Sequence, residues 1–427
     1  MVGGAPAEPS GFGNTRRMTS PPSPAGASQP AASPRRGLST PVLLLMAVAS
    51  GLCAGGNYFN QPLLHSISVS LRISEDLAAL TVTLAQVSYA LGLVFLVPLG
   101  DKFERRGLAV VLMLLAAAGQ FVSGFSGSLG QLALGTAMAG LFSVAAQVLV
   151  PTAAALSAPR HSGRAVGLVM SGLLVGILAA RSVAGLLSGL GGWNLVYRVS
   201  GVAMLLVALV LWRVLPPSRS ELRASYPAIL RSLGALVVQH PRLRSRSLLG
   251  ALSFASVSVL FSTMALMLSG PAHGLDDTAI GLIGLAGIAG ALMANLAGRL
   301  ADRGYEQSVT AGSVLLLGAS WYLLWLGGET LAWFLAGMLA IDLALQGVHI
   351  SNQNVVYQLD PAARSRINSV YMTSYFIGAA SGSALGALAW RHGGWSSACL
   401  LGLALMLLAL GALLWDRRLA APRHAND

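Results

Sequence analysis

Between two apolar runs of the chain stands the stretch Pro98-Leu99-Gly100-Asp101-Lys102-Phe103-Glu104-Arg105-Arg106, and its acid–base pair returns 201 positions later as Asp302-Arg303. Pro159, Arg164 and Gly176 return as Pro361, Arg366 and Gly378, all at an offset of 202. At the same offset Gly191-Gly192-Trp193 returns as Gly393-Gly394-Trp395. A constant register across three loops and two apolar runs marks an internal duplication.

Working outward from those loops, apolar runs of about 20 residues, the length that spans a bilayer as a helix, number twelve. They lie at 41–66, 77–99, 107–126, 129–155, 164–189, 193–213, 246–269, 278–299, 307–327, 331–357, 365–389 and 394–415. The two Gly-Gly-Trp sites split runs that would otherwise be about twice the span length. Six runs per half is an even number, so the halves share one orientation and are related by an axis along the membrane normal. The short alternating strands of a β-barrel are not the pattern here.

Composition agrees. Of the 427 residues 55% are hydrophobic and 10% charged, and mean hydropathy is +0.69. A soluble domain carries about a quarter of its residues as charges, so the reading is an all-α integral membrane protein. The net charge of +12 comes from short basic clusters between apolar runs, the pattern of membrane loops, and predicts no nucleic-acid partner. Cys53 and Cys399 sit within apolar runs and supply no disulfide framework.

Basic residues set the orientation. With the N-terminus inside, 23 of the 27 Lys and Arg fall on the cytoplasmic side, Arg242, Arg244 and Arg246 of the central loop among them. Arg72, Arg198 and Arg391 fall outside, and Arg181 lies within a run. Residues 1–40, rich in Pro, Ser, Ala and Gly, read as a disordered cytoplasmic tail and not as a cleavable leader. Residues 41–213 form a first six-helix bundle, 214–245 a cytoplasmic linker, 246–416 a second bundle and 417–427 a second tail. In the linker Ile229, Leu230, Leu233, Leu236 and Val237 share one helical face, predicting an amphipathic helix on the inner membrane surface.

At this point the chain resembles a major facilitator superfamily transporter from about residue 41 to 416. The stretch 98–106 is similar to that superfamily's Gly-x-x-x-Asp-Arg/Lys-x-Gly-Arg-Arg/Lys signature, with Val97 and Glu104 where glycines are expected. The later copy, Gly298 to Gly304, keeps the first glycine and lacks the trailing basic pair. Asn57 to Leu64, Ala146 to Pro151 and Ala180 to Gly185 resemble bacterial carriers grouped with the twelve-helix drug–proton antiporters. The chain departs from that group in two places. Thr136 stands four residues before Gly140 where many drug antiporters carry arginine, and Gly176-Ile177-Leu178 replaces the usual Gly-Pro of the fifth helix. The resemblance implies two pseudo-symmetric six-helix bundles. It also implies a central cavity lined by the first, fourth, fifth, seventh, tenth and eleventh helices, in a bacterial inner-membrane protein with both termini cytoplasmic.

Charge inside a bilayer marks function, because an ionised side chain there costs about 3 kcal/mol or more unless it meets a cavity or a partner. Asp342 is the acid well inside a run, about 16 Å from the outer end of the tenth helix. Asp342, Gln346, His349 and Gln353, spaced 4, 3 and 4, share one helical face. That face is either a polar seam between helices or a cavity wall in which Asp342 carries the coupling proton. Arg181, in the fifth helix, either snorkels outward or meets substrate; its repeat counterpart is Ser383. The resemblance places Arg181 and Asp342 on the cavity from opposite halves. Asn57, Asn60 and Gln61, followed by Pro62, offer either a substrate patch in a locally opened first helix or its watery end. Gln147, Tyr371, Thr373 and Tyr375 are further lining candidates, whereas Ser253, Ser256 and Ser262 are expected to bond their own backbone. Asp101, Arg105, Arg106, Asp302 and Arg303 read as an inner gating loop or as simple positive-inside topology.

No soluble-enzyme constellation is present. There is no phosphate-binding loop, and His349 has no second ligand at metal spacing, so no metal or cofactor is expected. The expectation is a non-enzymatic carrier working by alternating access as a monomer in the lipid bilayer. The proton gradient drives it, and it exports a small-molecule drug or metabolite. Proton-coupled uptake of an organic anion or sugar is the alternative, and an intramembrane enzyme or a receptor or scaffold a distant one.

Overall fold

The computed structural model describes Met1 and residues 38–157, 162–218, 225–284, 305–360 and 363–420. The expectations for the N-terminal tail and for Asp302 and Arg303 lie outside the described residues; Asp101 is described by its backbone alone.

The chain is all-α, and among the described residues nine helices are long and apolar enough to cross a membrane. The first apolar run is not one helix, as expected, but three pieces. Helix α1 (Thr40–Gly55) stops at Gly55-Gly56, a 3-10 turn covers Gln61–Leu63, and α2 (Leu64–Leu71) follows. Glycine and Pro62 explain the break, since proline cannot donate the backbone hydrogen bond that a continuing helix needs. Then come α3 (Glu75–Phe95) and α4 (Arg105–Gly124). The fourth run divides at Ser143-Val144 into α5 (Leu129–Phe142) and α6 (Ala145–Leu156). The first half closes with α7 (Ser162–Gly191) and α8 (Trp193–Val214).

Helix α9 (Tyr226–Gln239) lies in the linker and buries Ile229 and Leu236. Helix α10 (Pro241–Ser269) starts five residues earlier than expected. The opening turn of the eighth run is α11 (Asp277–Ile283), followed by α12 (Glu306–Leu326) and α13 (Leu331–Leu359). Helix α14 (Arg364–Ala420) has 57 residues, about 86 Å at 1.5 Å per residue, far more than one span. It is two spans joined at Gly394, whose φ of 58° and ψ of −144° break the helix. Its repeat counterpart Gly192 has φ 77°. Both positions need a residue without Cβ, which is why Gly-Gly-Trp recurs.

The other duplicated glycine sets helix packing. A Cβ on Gly176 would strike the backbone of Gly51 on α1, and one on Gly378 the Ala251 carbonyl on α10. Two equivalent helix pairs, α1 with α7 and α10 with the first arm of α14, therefore lie backbone to backbone, as small residues permit in membrane bundles. The membrane-facing side is plain on α8, where Leu205, Leu206, Leu209 and Val210 are exposed. Helix α10 is the opposite case, 89% buried along its apolar window, and stands among the other helices. Its hydroxyls divide. Ser262 bonds the Val259 carbonyl as expected (3.1 Å), while Ser256 reaches Gly402 O (3.0 Å) and receives the Trp321 indole N–H (2.6 Å).

At the linker end Glu104 caps α4. Its carboxylate accepts from the backbone N–H groups of Arg106 (2.9 Å), Gly107 (2.7 Å) and Ser218 (3.0 Å). With φ −63° and ψ 120° the position has no need of glycine, and a side-chain acceptor at the N-cap satisfies orphan donors that glycine would leave open. Burial by itself raises the Glu104 pKa; those three N–H donors and nearby Arg106 outweigh it and hold the carboxyl below its ordinary value.

Candidate functional site

Arg181 does not snorkel. It is 4% exposed, held by α7 in the middle of the bundle. Its Nε donates to Gln61 Oε1 (2.7 Å). Its guanidinium carbon lies 3.6 Å from the Phe261 ring centroid on α10 and 5.4 Å from that of Tyr58. Aromatic faces are favourable neighbours for a desolvated cation. The broken first span makes this possible: the turn after Gly55 carries Tyr58 and Gln61 to Arg181, where a continuous helix would direct them along its own face.

Asp342 approaches from α13 of the second half, 8% exposed and within electrostatic reach of Arg181. No ion pair within 4.0 Å joins them, and Asp342 Oδ2 and Gln61 Nε2 are buried without hydrogen-bond partners. Among the described residues the terminal nitrogens of Arg181 donate to no protein acceptor. The two halves thus present one cation and one carboxylate with unused hydrogen-bonding capacity.

Below Asp342 on the same face, Gln346, His349 and Gln353 are half-buried. His349 Nδ1 is 3.2 Å from the Tyr371 hydroxyl, and its ring lies 4.8 Å from that of Tyr375. Tyr375 stacks on Phe254 (4.1 Å), and Phe376 meets Tyr89 of the first half (4.4 Å). Gln147 donates to the Tyr89 hydroxyl (3.3 Å). Gln61 and Arg181, Gln147 and Tyr89, and His349, Tyr371 and Tyr375 therefore lie along one polar and aromatic cluster between the halves, with Asp342 beside it. Asn57 and Asn60 go elsewhere. Asn60 donates to Thr81 (3.2 Å), and both line a pocket of about 10 Å³ with Gln120 and Thr136, room for about one water.

Arg105 and Arg106 brace the first half at the linker end. Arg105 Nε donates to Gly100 O (3.1 Å), and Arg106 reaches Leu215 O (3.2 Å) and stacks on Trp212 (4.8 Å).

Sequence reasoning named Tyr371 and Tyr375 but missed their aromatic neighbours Phe254, Phe261 and Tyr89, although Phe254 and Phe261 are seven apart and so share a face of α10. It also misplaced Arg246. Read as a loop residue, Arg246 has a fully buried side chain inside α10, with Nη2 2.6 Å from Oδ2 of buried Asp416. That contact is an ion pair lying off the N–H direction. Around it Arg242 stands 3.6 Å from Asp416, Ser245 and Gln307 donate to Asp416 (2.8 and 3.1 Å), and Arg246 donates to Thr310 and Asn352 (3.0 and 3.1 Å).

Two duplicated helical halves that meet around buried polar and aromatic side chains have the architecture of a secondary transporter. The chain belongs to the Major Facilitator Superfamily, whose profile matches residues 46–363. It is 48% identical over 393 residues to the transporter YgaY of Escherichia coli (strain K12), covering 92% of this chain and 99% of that one. It is 30% identical over 285 residues to the chloramphenicol resistance protein of Streptomyces lividans, covering 65% and 71%. In fold it is similar to a bacterial homologue of the lysosomal transporter Spinster, solved inward-facing and occupied. The TM-score is 0.68 at 16% identity, covering 89% of this chain and 96% of that one.

Proposed function

We propose that this transporter exports a small polar or amphipathic organic solute in exchange for protons, as a monomer in a bacterial inner membrane with both termini cytoplasmic. The observation that carries this reading is the convergence of buried Arg181 and Asp342 from opposite halves beside one aromatic cluster. A solute with both a hydrogen-bond acceptor and a donor would bridge them, and the neutral sum of the two charges suits an uncharged ligand. Asp342 is the acid beside that cluster, and its unpartnered Oδ2 is free to take a proton when the solute leaves. Resemblance to a chloramphenicol resistance protein supports an amphipathic cargo. The free terminal nitrogens of Arg181 favour a second reading, proton-coupled uptake of an organic anion or a sugar.

Purified protein in liposomes with an imposed pH gradient and chloramphenicol as probe tests the first reading. Asp342→Asn should abolish gradient-driven movement and leave gradient-free exchange. Undiminished driven transport in that variant would place the coupling group elsewhere. Anion uptake in right-side-out vesicles that Arg181→Ala abolishes would favour the second reading.

A further inference from the structure

The two halves are fastened to each other at the end away from the linker. There one carboxylate oxygen, Oδ2 of Asp277 on α11, accepts from the hydroxyls of Ser66 on α2 and Ser188 on α7, each at 2.6 Å. Hydrogen bonds from hydroxyls to a carboxylate are short and about twice as strong as neutral ones. Both donors belong to the first half and the acceptor to the second.

The surrounding seam is built for close approach. Ser182 donates to Gly281 O (2.9 Å), and Thr278 donates to Gly185 O (3.2 Å). A Cβ on Gly281 would come within 2.6 Å of the Arg181 carbonyl, and one on Gly284 within 2.9 Å of Arg181 Cβ. The same short helix that bears Asp277 thus rests on the backbone of Arg181. A further cross-half contact joins Trp390 Nε1 to Glu75 (3.1 Å). Above the seam a crevice of about 340 Å³, lined by His65, Ser188, Trp193, Asp276, Asp277 and Thr278, reaches the surface. Water entering it can compete for the same carboxylate, so the fastening is releasable in a way that an apolar seal is not.

We propose that Asp277 is the latch that holds the two halves together at this end, with Ser66 and Ser188 as its two catches. Releasing it parts the halves and opens the Arg181–Asp342 site to the far side. The latch operates whichever solute moves and whatever gradient drives it.

Leu190 and Ala272 are exposed residues on the two halves at this end and take no part in the latch. Spin labels on Leu190→Cys and Ala272→Cys, in full-length protein in nanodiscs, read the opening by double electron–electron resonance. The unaltered latch should give a dominant short-distance population. Asp277→Ala should shift the ratio towards longer distances by about tenfold or more, the scale of losing hydrogen bonds to a charged group. Ser66→Ala combined with Ser188→Ala should shift it in the same direction with Asp277 intact. The serine pair decides the matter if Asp277→Ala is not recovered as monodisperse protein. An unchanged distribution in either folded variant overturns the latch.

Discussion

Replacing Asp416 by leucine is expected to be among the most damaging single changes in the second half. The carboxylate and the Arg246 guanidinium have side chains 0% exposed and approach to 2.6 Å. Each is also held by neutral partners: Ser245 and Gln307 on the acid, Thr310 and Asn352 on the base. Asp416→Leu leaves Arg246 charged and buried with only hydroxyl and amide acceptors, a situation that costs about 3–5 kcal/mol. Part is recoverable at Arg242, which stands 3.6 Å from Asp416, has a side chain 30% exposed and can turn to solvent. Removing both charges, Arg246→Met with Asp416→Leu, restores a neutral core, and such replacements of buried pairs are commonly neutral or better. The double variant should therefore lie within about 1 kcal/mol of wild type, a coupling of roughly 2 kcal/mol or more. Unfolding by dodecyl sulfate titration in detergent micelles, run as a double-mutant cycle, measures each term. A cost below about 1 kcal/mol for Asp416→Leu, or strict additivity of the two single changes, would rule out a coupled buried pair.

Two further predictions follow from the linker end. Glu104→Ala removes the cap of α4 and should destabilise by about 1 kcal/mol at neutral pH. Because folding holds the Glu104 pKa below its ordinary 4.5, its stabilisation is present above that value and lost as pH falls through the folded-state value. The melting-temperature gap between wild type and Glu104→Ala should narrow below about pH 4.5; a gap constant down to acid pH counts against the cap. For topology, Ser225→Cys at the exposed start of α9 should resist an impermeant maleimide in intact cells and react in inside-out vesicles, while Gly130→Cys should do the reverse. Labelling of Ser225→Cys from outside would invert the orientation.

How much of this was legible in the sequence depended on whether a residue's meaning is local. Span positions were, because hydropathy accumulates along the chain, and Gly192 and Gly394 were flagged by their shared register. Asp342 and Arg181 were legible because a charge deep in an apolar run is expensive wherever the run packs. The breaks at Gly55–Leu63 and Ser143–Val144 were not, since apolar character continues through them and hides the change of backbone direction. Arg246 and Asp416 escaped notice because each lies near a span end, where a charge is ordinarily free to reach water. Only the approach of two distant helices removes that freedom. Asp277 also lies near the start of an apolar run, and the serines that find it lie 211 and 89 residues away.

The constant offset of 202 residues has a consequence for the protein's ancestry. It sets Asp342 against Gly140 and Arg181 against Ser383. Gly140 is pressed so closely to α3 that a Cβ would lie 2.7 Å from the Ala85 carbonyl, and Ser383 bonds Thr83 across the halves at 2.8 Å. A symmetric dimer of two first halves would face arginine with arginine, and a dimer of two second halves would face acid with acid. The neutral combination of Arg181 and Asp342 is a property of the fused chain, in which the two copies were free to keep one backbone and write different chemistry on it.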